Sequence, residues 1–268
     1  MQNLKSSSVY PLLRDTYIWL RDLPQLPGAY LHPWRREGIR RLTALKDIHK
    51  GKRAFIIGNG PSLKNTDMSK LKGEITFGMN RIYLMFPELG FRTTYLSVVN
   101  DLVIEQTAAD LAALDMPKFL TWRSRKFFSN LQLSTSNLPT FLYSTYDSPR
   151  FSPDVRGRIW EGATVTYVTM QLAFHMGISE VYLIGVDHNY DTKGKPNTTI
   201  TSDGDDPNHF HAGYFGKGFR WQLPDLETSE IAYRMARQAY ENAGRRIADA
   251  TVGGKLTIFE KVDFNAIF

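Results

Sequence analysis

Cysteine is absent from this chain of 268 residues. Neither a disulfide framework nor a thiolate-ligated metal centre is therefore open to it, and the composition suits a reducing compartment. Long apolar runs are missing as well. Nowhere do the ~20 consecutive apolar residues of a membrane-crossing helix occur, and Arg14, Asp15, Arg21 and Asp22 interrupt the stretch a signal peptide would need. The expected location is the cytoplasm, with peripheral contact at the inner face of the cytoplasmic membrane. The main part of the chain also lacks a positive excess. Of the net charge of +6, residues 1–53 hold 11 Lys and Arg against 4 Asp and Glu, leaving 22 against 23 for the rest. A nucleic-acid enzyme usually carries a basic groove in its main domain, so no nucleic-acid partner is expected. Internal repeats and low-complexity tracts are absent too.

What is present is enough apolar material, 42% of residues, for a sizeable core in one domain with an appendage. Residues 9–23 mix aromatics, leucines and charge and predict a short amphipathic helix, ended by Pro24 and Pro27. Ile39, Leu42, Leu45 and Ile48 recur every three residues and predict one helical face over 35–50, with Arg36, Arg40, Arg41 and Lys46 off the stripe. These two segments define a basic helical extension over residues 1–51. Its basic side is either a solvated face of a docked helix or a surface for anionic lipid.

From residue 52 to 268 the pattern changes. AFIIG (54–58), EITFG (74–78), TYLSVV (94–99), KFLTW (118–122), TFLYS (140–144) and EVYLIG (180–185) read as strands. Helices are expected over 102–114, 164–176 and 228–243, and a last strand near 246–250. Strands alternating with helices predict an α/β fold with a mostly parallel sheet covered on both faces. Residues 188–227 show no convincing periodicity. Loops beyond ~12–15 residues tend to be lids or binding loops, so this segment is the expected lid.

Chemistry gathers at the carboxyl ends of the strands, where open α/β sheets bind ligands. Gly58 and Gly60 in GNGPS would let the backbone approach a phosphate, and Pro61-Ser62 suits a helix start. The third glycine of a dinucleotide fingerprint is replaced by Leu63, and no Walker A loop follows. Asn59, Asn80 and Asn100 end three strands and would meet at one edge, suited to reading a base or ribose, although asparagine is also an ordinary turn residue. Asp187 follows the EVYLIG strand, where it would bind a ribose hydroxyl or metal, or cap the turn. Thr164 opens a helix, as phosphate contact or plain N-cap. In the lid, His209 and His211 beside Asp205 and Asp206 read as a weak metal pair or as a source of one general base. His175, on an apolar helix face, is expected to pack.

IIGNGPSLK, FGMNRIY, EVYLIGVDHNY and the histidine loop resemble the family built on domain of unknown function 115, also described as similar to archaeal-type 6-hydroxymethylpterin diphosphokinase. The same elements look like the bacterial sialyltransferases of glycosyltransferase family 42 and the motility-associated flagellin glycosyltransferases. The resemblance spans about residues 52–262. It implies a Rossmann-like variant of the GT-A fold acting on a CMP-activated nonulosonic acid, with no obligatory metal or other cofactor. Asn59 and Ser62 match the family's nucleotide turn, Asn80 a second nucleotide-contacting asparagine and Asn100 a third. Thr164 matches a donor-contacting residue at a helix start, and Tyr190 a tyrosine that steadies the leaving phosphate. His209, in Asn208-His209-Phe210, matches the catalytic base, with His211 as its neighbour in that role. Where the sialyltransferases carry Arg-x-Thr-Ser-Gly, this chain has Trp160-Glu161-Gly162-Ala163-Thr164.

The resulting expectation is an inverting glycosyltransferase, forming a homo-oligomer, that passes an acidic sugar to a bacterial surface glycan or its lipid-linked precursor. Two other readings stand beside it. One is ATP-dependent pyrophosphorylation of a pterin alcohol, with Mg²⁺ on Asp101, Asp187, Asp205 or Asp206. The other is a catalytically silent nucleotide-binding module docked on a membrane through its basic N-terminus.

Overall fold

The structure is a computed structural model. It describes residues 26–131, 133–134, 137–147, 149–189 and 194–268, with Thr16, Leu20 and Leu23. Those three residues apart, the helix expected over 9–23 lies outside the described residues.

Apolar runs without polar alternation require burial on both faces, the condition of a covered parallel sheet. The strands are β1 (Arg53–Ile57), β2 (Thr76–Met79), β3 (Tyr95–Val98), β4 (Lys118–Thr121), β5 (Thr140–Thr145), β6 (Arg158–Trp160), β7 (Glu180–Ile184), β8 (Thr199–Thr201), β9 (Arg220–Gln222), β10 (Arg246–Asp249) and β11 (Glu260–Lys261). Nine of them form one sheet in the order β11-β10-β7-β1-β2-β3-β4-β5-β6. Every adjacent pair in it is parallel. Apart from the single turn Phe86–Leu89, the α-helices are α1 (Leu26–Leu31), α2 (Pro33–Leu45), α3 (Asp101–Ala113), α4 (Val165–His175) and α5 (Leu226–Asn242).

Side-chain alternation divides the core into two layers. Ala54 and Ile56 of β1 face α4 and α5, while Phe55 and Ile57 face α3 and the aromatic residues of the lid. The chain therefore has the expected α/β fold with helices on both faces. α4 is nearly all buried, and two of its polar residues bond to backbone: Gln171 Nε2 donates to the Trp160 carbonyl at 2.9 Å, and Thr169 Oγ1 donates to that of Val165 at 2.8 Å. His175 packs as expected, its Nε2 2.8 Å from the Leu42 carbonyl oxygen.

α2 covers an open flank. β6 pairs only with Tyr143–Thr145 of β5, leaving Thr140–Leu142 without a strand on that side. Gly38 of α2 meets this bare backbone, where an added Cβ would lie 3.4 Å from the Phe141 carbonyl oxygen. Trp34 stacks on Phe141 in one core layer and Leu42 enters the other. The expected helix over 35–50 stops at Leu45. After it, Asp47, His49 and Gly51 donate backbone hydrogen bonds to His175, Met176 and Gly177, which turns the chain along the end of α4. Ile48, expected on the buried stripe, is consequently 53% exposed. Within the expected aperiodic lid, β8 and β9 form an antiparallel pair with Ile200 opposite Trp221.

Lys118 opens β4 and is buried, its Nζ donating to the Leu114 carbonyl at 2.5 Å and to Asn137 Oδ1. Burial pushes its pKa down to about 8, against the attraction of Asp115. A folded pKa below the unfolded value means that the unfolded chain binds more protons between those values, so stability rises with pH across that window. Between pH 7 and 10.5 the wild type should gain up to about 3 kcal/mol relative to Lys118→Met in urea unfolding. Equal pH slopes in the two proteins would show that Lys118 titrates normally.

Candidate active site

β1 to β6 progress in one direction across the sheet, and β7 returns to the other side of β1. The carboxyl edge of β1 and β7 is therefore the switch point of the sheet, where doubly wound folds bind ligands in a crevice outside the strand ends. Gly58 and Gly60 N–H groups donate to the carbonyls of Ile184 at 2.7 Å and Gly185 at 2.9 Å. Ser62 closes the arrangement, its N–H donating to Asp187 Oδ1 at 3.1 Å and its hydroxyl to Oδ2 at 2.7 Å. An added Cβ at Gly58 would stand 2.1 Å from the Gly185 carbonyl oxygen, so only glycine permits this approach. Burial raises the pKa of Asp187, and the bonds from Ser62 oppose that rise.

The crevice opens into a cavity of about 550 Å³ whose wall contains Gly58, Asn59, Gly60, Asn80, Asn100, Thr164, Asp187 and His209. Asn59 Nδ2 donates to the Met79 carbonyl at 3.0 Å, while its Oδ1 is buried without a partner. Asn80 takes a left-handed backbone (φ 49°), and its Oδ1 is likewise buried and unpartnered. Asn100 Oδ1 caps α3 through the N–H groups of Leu102 and Val103, and Thr164 Oγ1 caps α4 through that of Thr166. Asp225, also in the wall, caps α5. Three helix N-termini thus open on one cavity, each a partial positive charge.

Among the described lining residues there is no lysine or arginine. Glu161 is buried and bonded to Arg123 and, at 2.6 Å, to the Ser144 hydroxyl. Asp101, one of the carboxylates of the Mg²⁺ reading, binds Arg123 Nε at 2.6 Å and Ser124 at 2.5 Å. Among the described residues no three His, Asp or Glu side chains gather as a metal site.

The lid is tied to these strand ends. Phe210 N–H donates to the Asn59 carbonyl at 2.9 Å, and the Arg81 guanidinium donates to the carbonyls of Gly213 and Tyr214. His209 Nδ1 lies 2.7 Å from Asp206 Oδ2, and its ring stacks on Tyr214 with centroids 4.0 Å apart. The chain over 206–214 is folded into turns, so His209 and His211 do not share a face as an extended strand would give. His211 is exposed outside the cavity wall, its Nδ1 accepting the Gly213 N–H at 3.1 Å. Ser62 is spent on Asp187 and does not line the cavity. Tyr190 lies outside the described residues. Sequence reading passed over Tyr146, Trp221 and Tyr233, which also line the cavity; Tyr233 places its hydroxyl 3.4 Å from Thr164 Oγ1. No local spacing marks them, because they come from three separate elements.

No family model matches the chain, and no curated protein matches it in sequence. A solved structure, the MAf glycosyltransferase from Magnetospirillum magneticum AMB-1, is similar to it. The TM-score is 0.47 and the identity 16%, covering 96% of this chain and 42% of that one. This chain therefore spans less than half of that protein's length.

Gly58→Ala forces a backbone collision and should destabilise the protein by about 1–3 kcal/mol. Gly157→Ala, where an added Cβ meets nothing within 4 Å, should shift stability by less than about 1 kcal/mol. Urea unfolding of both variants checks the contrast.

Proposed function

We propose that this chain is an inverting glycosyltransferase that binds a nucleotide-activated sugar in the crevice outside the carboxyl ends of β1 and β7. One observation carries the reading: Asn59 and Asn80, each with a side-chain oxygen buried without a partner, line the same cavity as His209. Buried acceptors without donors cost free energy until a ligand supplies them, and a nucleoside carries such donors on base and ribose. The resemblance to CMP-using sialyltransferases supports a CMP-activated nonulosonic or related acidic sugar as donor.

In the reaction the acceptor hydroxyl attacks the anomeric carbon as the carbon–oxygen bond to phosphate breaks. His209 Nε2 takes the hydroxyl proton. The departing nucleotide monophosphate gains charge that the N-terminus of α4, with Thr164 and Thr166, stabilises. The lid excludes water from the donor. CMP should raise the melting temperature more than ATP or NAD, since a ligand bound only by the folded form stabilises it. Asn59→Ala should weaken that protection by ~1–2 kcal/mol. His209→Ala should lower turnover ~10²–10⁴-fold while donor affinity persists, and turnover should survive EDTA. A preference for ATP, with activity restored by Mg²⁺ on a pterin alcohol, would replace this reading by pyrophosphoryl transfer.

The acceptor side of the proposal includes a lipid carrier. The solvent face of α2 carries Arg36, Arg40 and, just beyond its end, Lys46, flanked by Leu31 (71% exposed) and Ile48. This mixture suits an anionic interface. Sedimentation with anionic vesicles should fall as salt rises and in Leu31→Asp/Arg36→Glu. Unchanged binding in that variant would remove the segment from membrane contact. Truncation at Lys50 is no substitute, because it deletes the core residue Leu42.

A further inference from the structure

We propose that Asp206 is the positioning residue of His209, fixing the imidazole as the Nδ1–H tautomer and leaving Nε2 as the bare nitrogen offered to the cavity. The inference rests on the reading of His209 as general base and concerns which ring nitrogen carries the free lone pair.

In sequence, Asp205-Asp206 in TSDGDDPNHF looks like part of a solvated acidic turn. In the fold the two residues separate, with Asp205 exposed and Asp206 buried, its side chain 3% exposed. Both oxygens of Asp206 are engaged. Oδ1 accepts the Asn208 N–H at 2.9 Å, and Oδ2 meets His209 Nδ1 at 2.7 Å. The backbone N–H of Asp206 donates to the Ala212 carbonyl at 2.9 Å, which closes the turn around the histidine. An ionised carboxylate only accepts, so the nitrogen that faces it carries hydrogen. Neutral imidazole has one N–H. The lone pair is then left on Nε2, which has no hydrogen-bond partner among the described residues.

The ring plane is held by a separate contact. Tyr214, fully buried, lies against the imidazole at an interplanar angle of 9°, and Phe215 closes its edge with centroids 4.8 Å apart. Stacking on Tyr214 is blind to a half-turn of the imidazole about its bond to Cβ, since both orientations offer the same flat face. The bond to Asp206 is not blind, because the half-turn would replace Nδ1 by a ring carbon. Tyr214 therefore sets the plane, and Asp206 decides which nitrogen points where. The frame hangs from strand ends that carry the cavity asparagines. Arg81, which holds Tyr214, directly follows Asn80, and Phe210 is bonded to Asn59. The same turns that shape the nucleotide crevice thus set the base.

The test is direct and needs no substrate. Full-length protein labelled with ¹⁵N-histidine, with His209 assigned through His209→Gln, should show the Nδ1–H pattern for this ring in long-range ¹H–¹⁵N spectra at alkaline pH. In Asp206→Asn the amide oxygen is held by the Asn208 N–H, so the NH₂ group faces the ring and the imidazole should shift towards Nε2–H. With an active donor identified, Asp206→Asn should lower kcat by roughly 10²–10⁴-fold, with the donor KM changed less than about threefold. An Nε2–H tautomer in the wild type, or an unchanged tautomer in folded Asp206→Asn, would overturn the proposal. If Asp206→Asn does not fold, the wild-type spectrum still decides. Absence of transfer with every donor would sink the glycosyltransferase reading and leave the tautomer result standing.

Discussion

The bonds from Ser62 to Asp187 join strand ends that lie 125 residues apart in the chain, and the site is organised around that junction. β1 and β7 are neighbours in the sheet, so their carboxyl ends would simply lie side by side if nothing shaped them. Two glycines bring the backbones together, and the serine ties the turn after β1 to the carboxylate after β7. The crevice then forms on a rigid floor. Asp187, which sequence alone leaves open as ribose ligand, metal ligand or cap, spends its carboxylate on this junction. Burial raises the pKa of this carboxyl, and the donors from Ser62 act against that rise.

Around that floor the protein uses dipoles in place of cations. α3, α4 and α5 begin at Asn100, Thr164 and Asp225, all in the wall, and each start is closed by a side-chain cap. Behind the wall, Arg123 is bonded to Asp101, Glu161 and the Val99 carbonyl, and lies under the Tyr146 ring. It stiffens the wall. The caps fix the orientation of these helix starts, so their dipoles are set before any ligand arrives.

Much of this fold is legible in the sequence for a simple reason. Runs such as AFIIG and EVYLIG are apolar on both faces, and little except a covered parallel strand accommodates them. β6, with three residues, and β8 and β9 escape notice because their stability comes from partners distant in sequence. For the candidate site, strand ends are predictable once strands are, which is why Asn59, Asn80, Asn100 and Asp187 could be picked out. Asp206 resisted because burial decides its role, and no local pattern separates DGDD in solvent from DGDD around a histidine. Ile48 illustrates the reverse case. Its three-residue spacing was regular, but backbone bonds to the end of α4 broke the helix before it.

The two margins of the nine-stranded sheet are both short. β11 offers only Glu260 and Lys261, and on the other side β6 has three residues while α2 shields the bare part of β5. Exposed strand margins are the usual templates for strand addition, domain swapping and fibril growth. Among the described residues this chain presents no long, flat row of free backbone groups to a neighbour. Helix faces and loops make up most of the surface that the described residues offer to a neighbour, and a substitution there changes that surface without touching the sheet.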